Sequence, residues 1–240
     1  MTMLSRGRYC AREAQDAGDL ARAQSLRAAA FGLPADADAF DPACRHMLIE
    51  DVASGALVCC FRMMTLDGSE ISRSYSAQFY ELDALAGFSG RLAEIGRFCI
   101  APGLADPDIL RVAWGAMARL VDEERITLLF GCSSFAGTET ESYLDAFAML
   151  RARHIAPPRW RPRVKAPDVF RFAARLRRKP DLRKAMLRMP PLLRTYLLMG
   201  GWVSDHAVVD RQMNTLHVFT GVEIGAIPPA RARALRQIAG

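Results

Sequence analysis

The stretch from Arg91 to Phe135, RLAEIGRFCIAPGLADPDILRVAWGAMARLVDEERITLLFGCSSF, constrains the fold more than any other. It opens with a strand-like run, Arg91 to Ile100, around a Glu-Ile-Gly-Arg core. A helix is predicted next, because Ile109, Ala113, Ala116, Met117, Leu120 and Val121 recur at helical spacings. Asp106-Pro107-Asp108 starts it, with Asp in the N-cap role and Pro in the first turn, where its missing N–H costs nothing. Thr127 to Ser134 is an apolar run that ends in small polar residues. Strand, helix and strand within about 45 residues have the length of a βαβ unit. Glu94 and Arg97 lie inside the first strand, and buried charges are costly unless paired, so both need a partner or a task.

The remaining elements are read around this unit. Arg8 to Arg12 reads as a strand, and Asp16 to Phe31 as a helix with Leu20, Ala23, Leu26, Ala30 and Phe31 on one side. Pro34 to Cys44 is a loop rich in Asp. His46 to Asp51 and Ala56 to Met64 are strands joined by an Ala53-Ser54-Gly55 turn. Arg73 to Leu92 carries Tyr75, Phe79 and Tyr80 without a clear period. Thr138 to Arg153 reads as a helix capped by Thr138. Ala156 to Pro167 holds four prolines and supports no regular element. Asp168 to Met199 reads as helical, broken at Pro180 and at Pro190-Pro191. Its first part is an amphipathic basic helix in which Phe170, Ala173, Ala174 and Leu176 alternate with arginines. Ala207 to Asp210 and Leu216 to Ile224 are strands, and Pro228 to Gly240 is a short basic helix.

A chain of 240 residues, about half of them hydrophobic, can bury a proper core and is not disordered. No apolar run approaches the roughly 20 residues of a membrane span. The first residues lack the apolar segment of a signal peptide, so a cytoplasmic location is expected. The six cysteines show no CxxC spacing and read as small buried apolar residues. No histidine has a ligand-spaced partner, and no metal site is expected. The net charge of +6 is uneven: Arg151 to Arg194 holds 15 Lys plus Arg against Asp168 and Asp181, which leaves the remainder acidic. Such a segment suits an acidic protein, an anionic membrane or nucleic acid.

Several separated motifs then stand in one order. They are Phe40-Asp41-xx-Cys44-x-His46, Glu94-Ile95-Gly96-Arg97-Phe98-Cys99-Ile100 and Leu129-Phe130-Gly131-Cys132-Ser133-Ser134-Phe135. His154-xx-Pro157, Leu192-Leu193-xx-Tyr196-Leu197, Gly200-Gly201-Trp202-Val203 and Asp210-xxx-Asn214-Thr215 follow. Across roughly residues 8 to 220 this resembles the ornithine-acyl-carrier-protein N-acyltransferase family, relatives of the acyl-homoserine lactone synthases. The resemblance implies an α/β fold: a GNAT-like mixed β-sheet flanked by helices, with a basic helical insertion before the last strands. Residues 1–155 would be the GNAT-like core, 156–199 the insertion, and 200–240 the closing strands and tail of the same domain. It also implies a reaction. A (3-hydroxy)acyl chain leaves the phosphopantetheine arm of acyl carrier protein for the α-amine of ornithine, the first step of ornithine lipid biosynthesis. No metal or redox cofactor is implied.

The residues fit that chemistry. An α-amine is mostly protonated at neutral pH and must lose a proton before it attacks. Glu94 is the expected base, direct or through a water, since a strand carboxylate in a partly closed cleft has a raised pKa. The alternative is a structural salt bridge. Arg97, three residues on, falls on the opposite face unless a bulge intervenes, and either holds the ornithine carboxylate or neutralises buried acid. In the resembled fold, N–H groups around Phe98, Cys99 and Ile100 and around Cys132 to Ser134 stabilise the oxyanion. Ser133 and Ser134 either serve the leaving thiolate and pantetheine or merely end a strand; Cys132 reads as a buried thiol rather than a nucleophile. His46 falls in a family motif, His154 ends a helix, and Asp210 and Asn214 orient the amino acid or form a turn.

Coenzyme-A-dependent GNAT enzymes hold pyrophosphate on a glycine-rich loop. The corresponding Ala101 to Asp108 has one glycine and two acids, which favours a carrier-protein donor. Arg171, Arg175, Arg177, Arg178, Lys179, Arg183 and Lys184 would then meet the acidic carrier protein or an anionic membrane, with the protein peripheral at the inner face. Nucleic acid is not expected as a partner. Ser204, His206, Met213 and His217 depart from the family pattern and leave the amine acceptor open. The alternatives are a homoserine-lactone-synthase-like enzyme, another amino-acid N-acyltransferase, or a non-catalytic basic binding module.

Overall fold

A computed structural model describes residues 2–239. In chain order the elements begin β1 (Thr2–Arg6), β2 (Tyr9–Glu13), α1 (Ala17–Phe31), β3 (Arg45–Asp51), β4 (Leu57–Asp67), β5 (Tyr80–Glu81) and β6 (Arg91–Ile100). Then come α2 (Pro107–Glu123), β7 (Ile126–Ala136), α3 (Leu144–Arg153), β8 (Arg163–Val164), β9 (Val169–Phe170) and α4 (Phe172–Arg175). The chain closes with α5 (Leu182–Arg188), α6 (Pro191–Leu198), β10 (Trp202–Val203), β11 (Ala207–Asp210), β12 (Thr215–Glu223) and α7 (Pro229–Ala239). Two compact units result. The first comprises Met1–Thr65, Ile95–Ile126 and Pro229–Gly240, and the second Leu66–Glu94 and Thr127–Pro228.

In the first unit the strands run in the order β1-β2-β3-β4-β6, the first four antiparallel. Leu48 pairs with Cys60, and both face α1, where Ala23 is buried beside them with Cys99. Asp16 caps α1 by accepting from Asp19 N–H, and Gly32 ends it at φ 67°, a left-handed conformation that favours glycine. α2 packs on β1, β2 and β3 and against α7. It starts where the sequence predicts: Asp106 accepts from Asp108 N–H and is held by the Tyr9 hydroxyl at 2.9 Å. Gly115 sets how closely α2 approaches. A Cβ there would lie 2.6 Å from Leu4 Cδ2 and 3.0 Å from Ile238 Cγ2.

In the second unit β7, β12, β11 and β9 are neighbours in that order, with β10 on β12, and β5 pairs with β8. β12 lies antiparallel to β7 from Thr215 opposite Ala136 to Glu223 opposite Leu128. One face of this pair, through Phe135, Leu216 and Val218, packs with Phe147 of α3 and Phe172.

Three expectations change here: Ala156 to Pro167, read as irregular, holds β8, because Arg163 and Val164 pair with Glu81 and Tyr80, and two helices differ. The helix expected from Thr138 begins at Leu144, after a 3-10 turn at Thr140–Tyr143. Gly137 sits at φ 76° and the Tyr143 hydroxyl donates to Ala136 O, so the chain must turn before it can coil. The expected basic helix from Phe170 is a two-residue strand followed by a single turn. Phe170 and Phe172 both meet the Phe147 ring, at 5.4 and 5.1 Å, and extended spacing puts such i, i+2 residues on one side whereas a helix would not. Residues 156–199 are short elements woven through this unit's core, with Phe172, Ala185, Met189 and Leu193 buried. Among the described residues no helix is long and apolar enough to cross a membrane.

Candidate active site

Glu94, in the part of β6 that belongs to the second unit, is 5% exposed. Tyr75 N–H donates to its Oε2 at 2.7 Å. Ser76 donates twice to Oε1, through its N–H at 2.7 Å and its hydroxyl at 2.5 Å. These donors begin the 3-10 turn Ser76–Gln78, whose first N–H groups have no partner within the turn and so suit an anion. These three donors give both carboxylate oxygens of Glu94 a partner. Ser76 also lies 3.5 Å from Cys132 Sγ, so thiol, hydroxyl and carboxylate form one hydrogen-bonded chain. A proton can move along such a chain to the carboxylate.

The register of β7 and β12 sorts the neighbouring side chains. Cys132 faces Phe219 and Ser134 faces His217, while Ser133 lies opposite Val218 on the other face. Ser133 is buried and its oxygen accepts from the Thr220 hydroxyl at 2.9 Å. Ser134 is exposed, Cys132 half-buried. The two serines thus act on opposite sides of the sheet, and only Ser134 shares a face with Cys132. On that face Tyr80 is fully buried; its hydroxyl donates to His217 O at 2.8 Å and lies 3.1 Å from His217 Nδ1. With the hydroxyl hydrogen on the carbonyl, Nδ1–H donates to Tyr80, which leaves Nε2 as a buried acceptor without a partner among the described residues. Burial pushes His217 down to about 4, so the ring is neutral. His206, fully buried, meets Asp205 Oδ1 through Nδ1 at 2.7 Å.

Arg97 belongs to the first unit and sits at φ 53°, a left-handed residue inside a strand, which breaks side-chain alternation there. Its guanidinium lies 3.1 Å from both Asp36 and Asp38. Those acids belong to a loop whose third carboxylate is Asp41. Arg27 bonds Asp36 at 2.7 Å and Asp41 at 2.8 Å, and Arg62 bonds Asp38 and Asp41, each at 2.6 Å. Three arginines from α1, β4 and β6 therefore neutralise three acids from one loop. Burial alone would raise Asp41, but hydrogen bonds from Arg27, Gln24 and Arg62 outweigh it and hold the carboxylate well below its usual range. His46 joins this cluster through Nε2, 2.9 Å from Asp41 O.

The other expected residues are placed as follows. Phe98 stacks on Phe61 at 5.7 Å, Cys99 is buried 3.6 Å from Cys60 Sγ, and Ile100 is half-buried. Asp210 accepts from Met213 N–H and Asn214 sits at φ 49°, which makes both parts of the β11–β12 turn. His154 ends α3, and its N–H meets Leu150 O. Arg171, Arg175, Arg177, Arg178, Lys179, Arg183 and Lys184 are all exposed, and Arg178 pairs with Asp145 at 2.8 Å. Sequence reasoning missed Ser76 and Tyr80. The one available signal was the polar-aromatic stretch Tyr75 to Tyr80, which has neither helical nor strand period. Among the described residues no group of His, Cys, Asp and Glu could hold a metal ion.

A mixed sheet flanked by helices is the architecture of the GNAT acyltransferase class. The family model for the acetyltransferase (GNAT) domain matches residues 23–115. The chain is 33% identical over 229 residues to the L-ornithine N(alpha)-acyltransferase of Rhodobacter capsulatus, with 88% of each chain covered. It is 28% identical over 192 residues to the one from Brucella abortus, spanning 77% of this chain and 68% of that one. It belongs to the L-ornithine N(alpha)-acyltransferase family. An N-acyl amino acid synthase from uncultured soil microbes superposes with a TM-score of 0.49 at 11% identity, covering 97% of both chains.

Proposed function

We propose that this acyltransferase moves an acyl chain, typically 3-hydroxylated, from the phosphopantetheine thioester of acyl carrier protein to the α-amine of ornithine. The observation that carries the reading is the 229-residue match to an L-ornithine N(alpha)-acyltransferase, in a chain whose Glu94 is hydrogen-bonded by Tyr75 and Ser76. The ammonium loses a proton to Glu94 through the Ser76 hydroxyl or a water. The amine nitrogen then attacks the thioester carbon, the C–S bond breaks, the nitrogen gives its second proton to the departing pantetheine thiolate, and Glu94 passes the first to solvent. The product is an acyl-ornithine, the lyso form of an ornithine lipid.

Two features support a carrier protein as donor. The N-terminus of α2 is already filled by Asp106 and carries Asp108, a poor seat for a pyrophosphate. The basic excess between Arg151 and Arg194 complements an acidic carrier.

The test is mass spectrometry of lipids from a host without ornithine lipids that expresses this chain or Glu94→Ala. A new acyl-ornithine with the parent chain, lost in the variant at matched protein level, is expected. Acyl chains on another amino acid would overturn the acceptor, and no acylated amino acid from folded protein would overturn the reaction.

A further inference from the structure

The turn that supplies Glu94 with its donors is itself held at its other end. The Tyr75 and Ser76 N–H groups point from the start of the Ser76–Gln78 turn to the carboxylate. Carbonyls at the end of such a turn have no partner within it. One of them, Ala77 O, accepts from Lys165 Nζ at 2.6 Å, across 88 residues of sequence. The turn therefore lies between a carboxylate at its donor end and an ammonium at its acceptor end, and each charge meets the backbone group that suits it. All of these residues belong to the second unit. The backbone on either side of Lys165 is fixed. Before it, β8 pairs with β5, Val164 opposite Tyr80 and Arg163 opposite Glu81. After it, the buried Ala166 donates its N–H to Phe79 O at 2.9 Å. Residues 163–166 thus run as a splint beside 77–81. Lys165 is exposed, and an exposed lysine ordinarily keeps its side-chain freedom and its ammonium in water. Although it falls in the basic segment, its ammonium is directed at this carbonyl.

We propose that Lys165 is a positioning residue for acyl transfer: it fixes the Ser76 turn and, through that turn, the orientation of the Glu94 carboxylate. Lys165 touches no substrate. Without its bond the turn keeps the contact of Ala77 N–H with Ser74 Oγ at 3.2 Å and the strand pairing beyond it. Its amides are then free to tilt away from Glu94, and the Ser76 hydroxyl tilts with them. A proton acceptor that is misaligned by a fraction of an ångström loses rate, not affinity, so the effect falls on kcat. The inference rests on the reading of Glu94 as the proton acceptor and deepens it.

The test joins steady-state kinetics with acyl carrier protein and ornithine to hydrogen exchange of the Tyr75 and Ser76 amides. Two variants of the full chain are compared: Lys165→Met keeps the length of the stem and removes the donors, and Lys165→Arg keeps a donor. Lys165→Met is expected to lower kcat about fivefold at unchanged KM for the acyl carrier protein, and to speed exchange of both amides by a similar factor. Lys165→Arg should recover most of kcat. In a Glu94→Gln background Lys165→Met should cost nothing further, because Lys165 acts only through that carboxylate. A raised KM for the carrier protein at unchanged kcat overturns the proposal and returns Lys165 to the carrier-facing surface. Equal losses in the parent and Glu94→Gln backgrounds also overturn it, as does unchanged amide exchange. If Glu94→Gln transfers acyl chains like the parent, the reading of Glu94 fails and the positioning role with it. If Glu94→Gln is impaired while Lys165→Met keeps full kcat, the positioning role alone fails.

Discussion

A carboxylate can be made useful in a protein interior either by stripping it of partners or by holding its charge in place. Glu94 is not stripped: both of its oxygens are bonded. Tyr75 and Ser76 supply three donors, and Ser76 continues the chain to Cys132. Removing the charge should therefore cost more than removing the relay. Glu94→Gln is expected to lower kcat by about a hundredfold or more, the usual range for a lost acid–base group. Ser76→Ala leaves both backbone donors in place and should cost less, about tenfold, with little change in KM for the acyl donor. Steady-state kinetics on both variants checks the ranking, and a larger loss in Ser76→Ala than in Glu94→Gln would reject the relay. The Arg97 cluster is the counterpart in the first unit: Arg27, 1% exposed, stands between Asp36 and Asp41 and makes burying both acids tolerable.

Elements were legible in the sequence where local chemistry fixed them. The Asp106-Pro107 start of α2 and the Asp210 to Asn214 turn carry their own caps and turn residues, and the structure follows them. Gly115 in α2 is less obvious, since a mid-helix glycine only lowers helix propensity. Its reason is packing: Gly115→Ala drives a Cβ into Leu4 and Ile238, and a loss of about 1–3 kcal/mol is expected in chemical denaturation despite the better propensity. A stabilised variant would show that α2 and α7 can separate slightly at no cost. The elements that were not legible depend on partners distant in sequence. Phe170 is extended, and Phe172 only then begins a turn, because Phe147 and β11 hold them. Ser76 matters only because Glu94, 18 residues on, lies over its turn. No local period reports either fact.

For the whole molecule, acid is the sensitive direction. Burial pushes His217 down to about 4 and lowers His154 as well, so the folded chain binds fewer protons there than the unfolded one. This stability is complete above the unfolded value of about 6.5 and declines as pH falls from there towards 4, by up to about 1.4 kcal/mol per pH unit for one group. Below about 4 a second loss joins it. Asp38 and Asp41, raised by burial but lowered further by their arginine partners, and Glu50, lowered by Arg12, contribute stability that protonation removes. Urea titrations between pH 8 and 4 should show the first slope, and His217→Gln should flatten it. An unchanged slope in that variant would place the responsible group elsewhere.

The position of α7 along the chain has a consequence for synthesis. This helix covers α2, with Arg236 bonded to Asp122 and Ile238 against Gly115, yet it is made after the whole of the second unit. The first unit is begun by Met1–Thr65, continued by Ile95–Ile126, and not finished until Pro229 onwards emerges. At ordinary elongation rates the intervening second-unit residues take roughly five to twenty seconds to translate. Throughout that interval α2 is without the helix that packs on it at Gly115. The unit that is begun first is thus completed only after the second unit has been made.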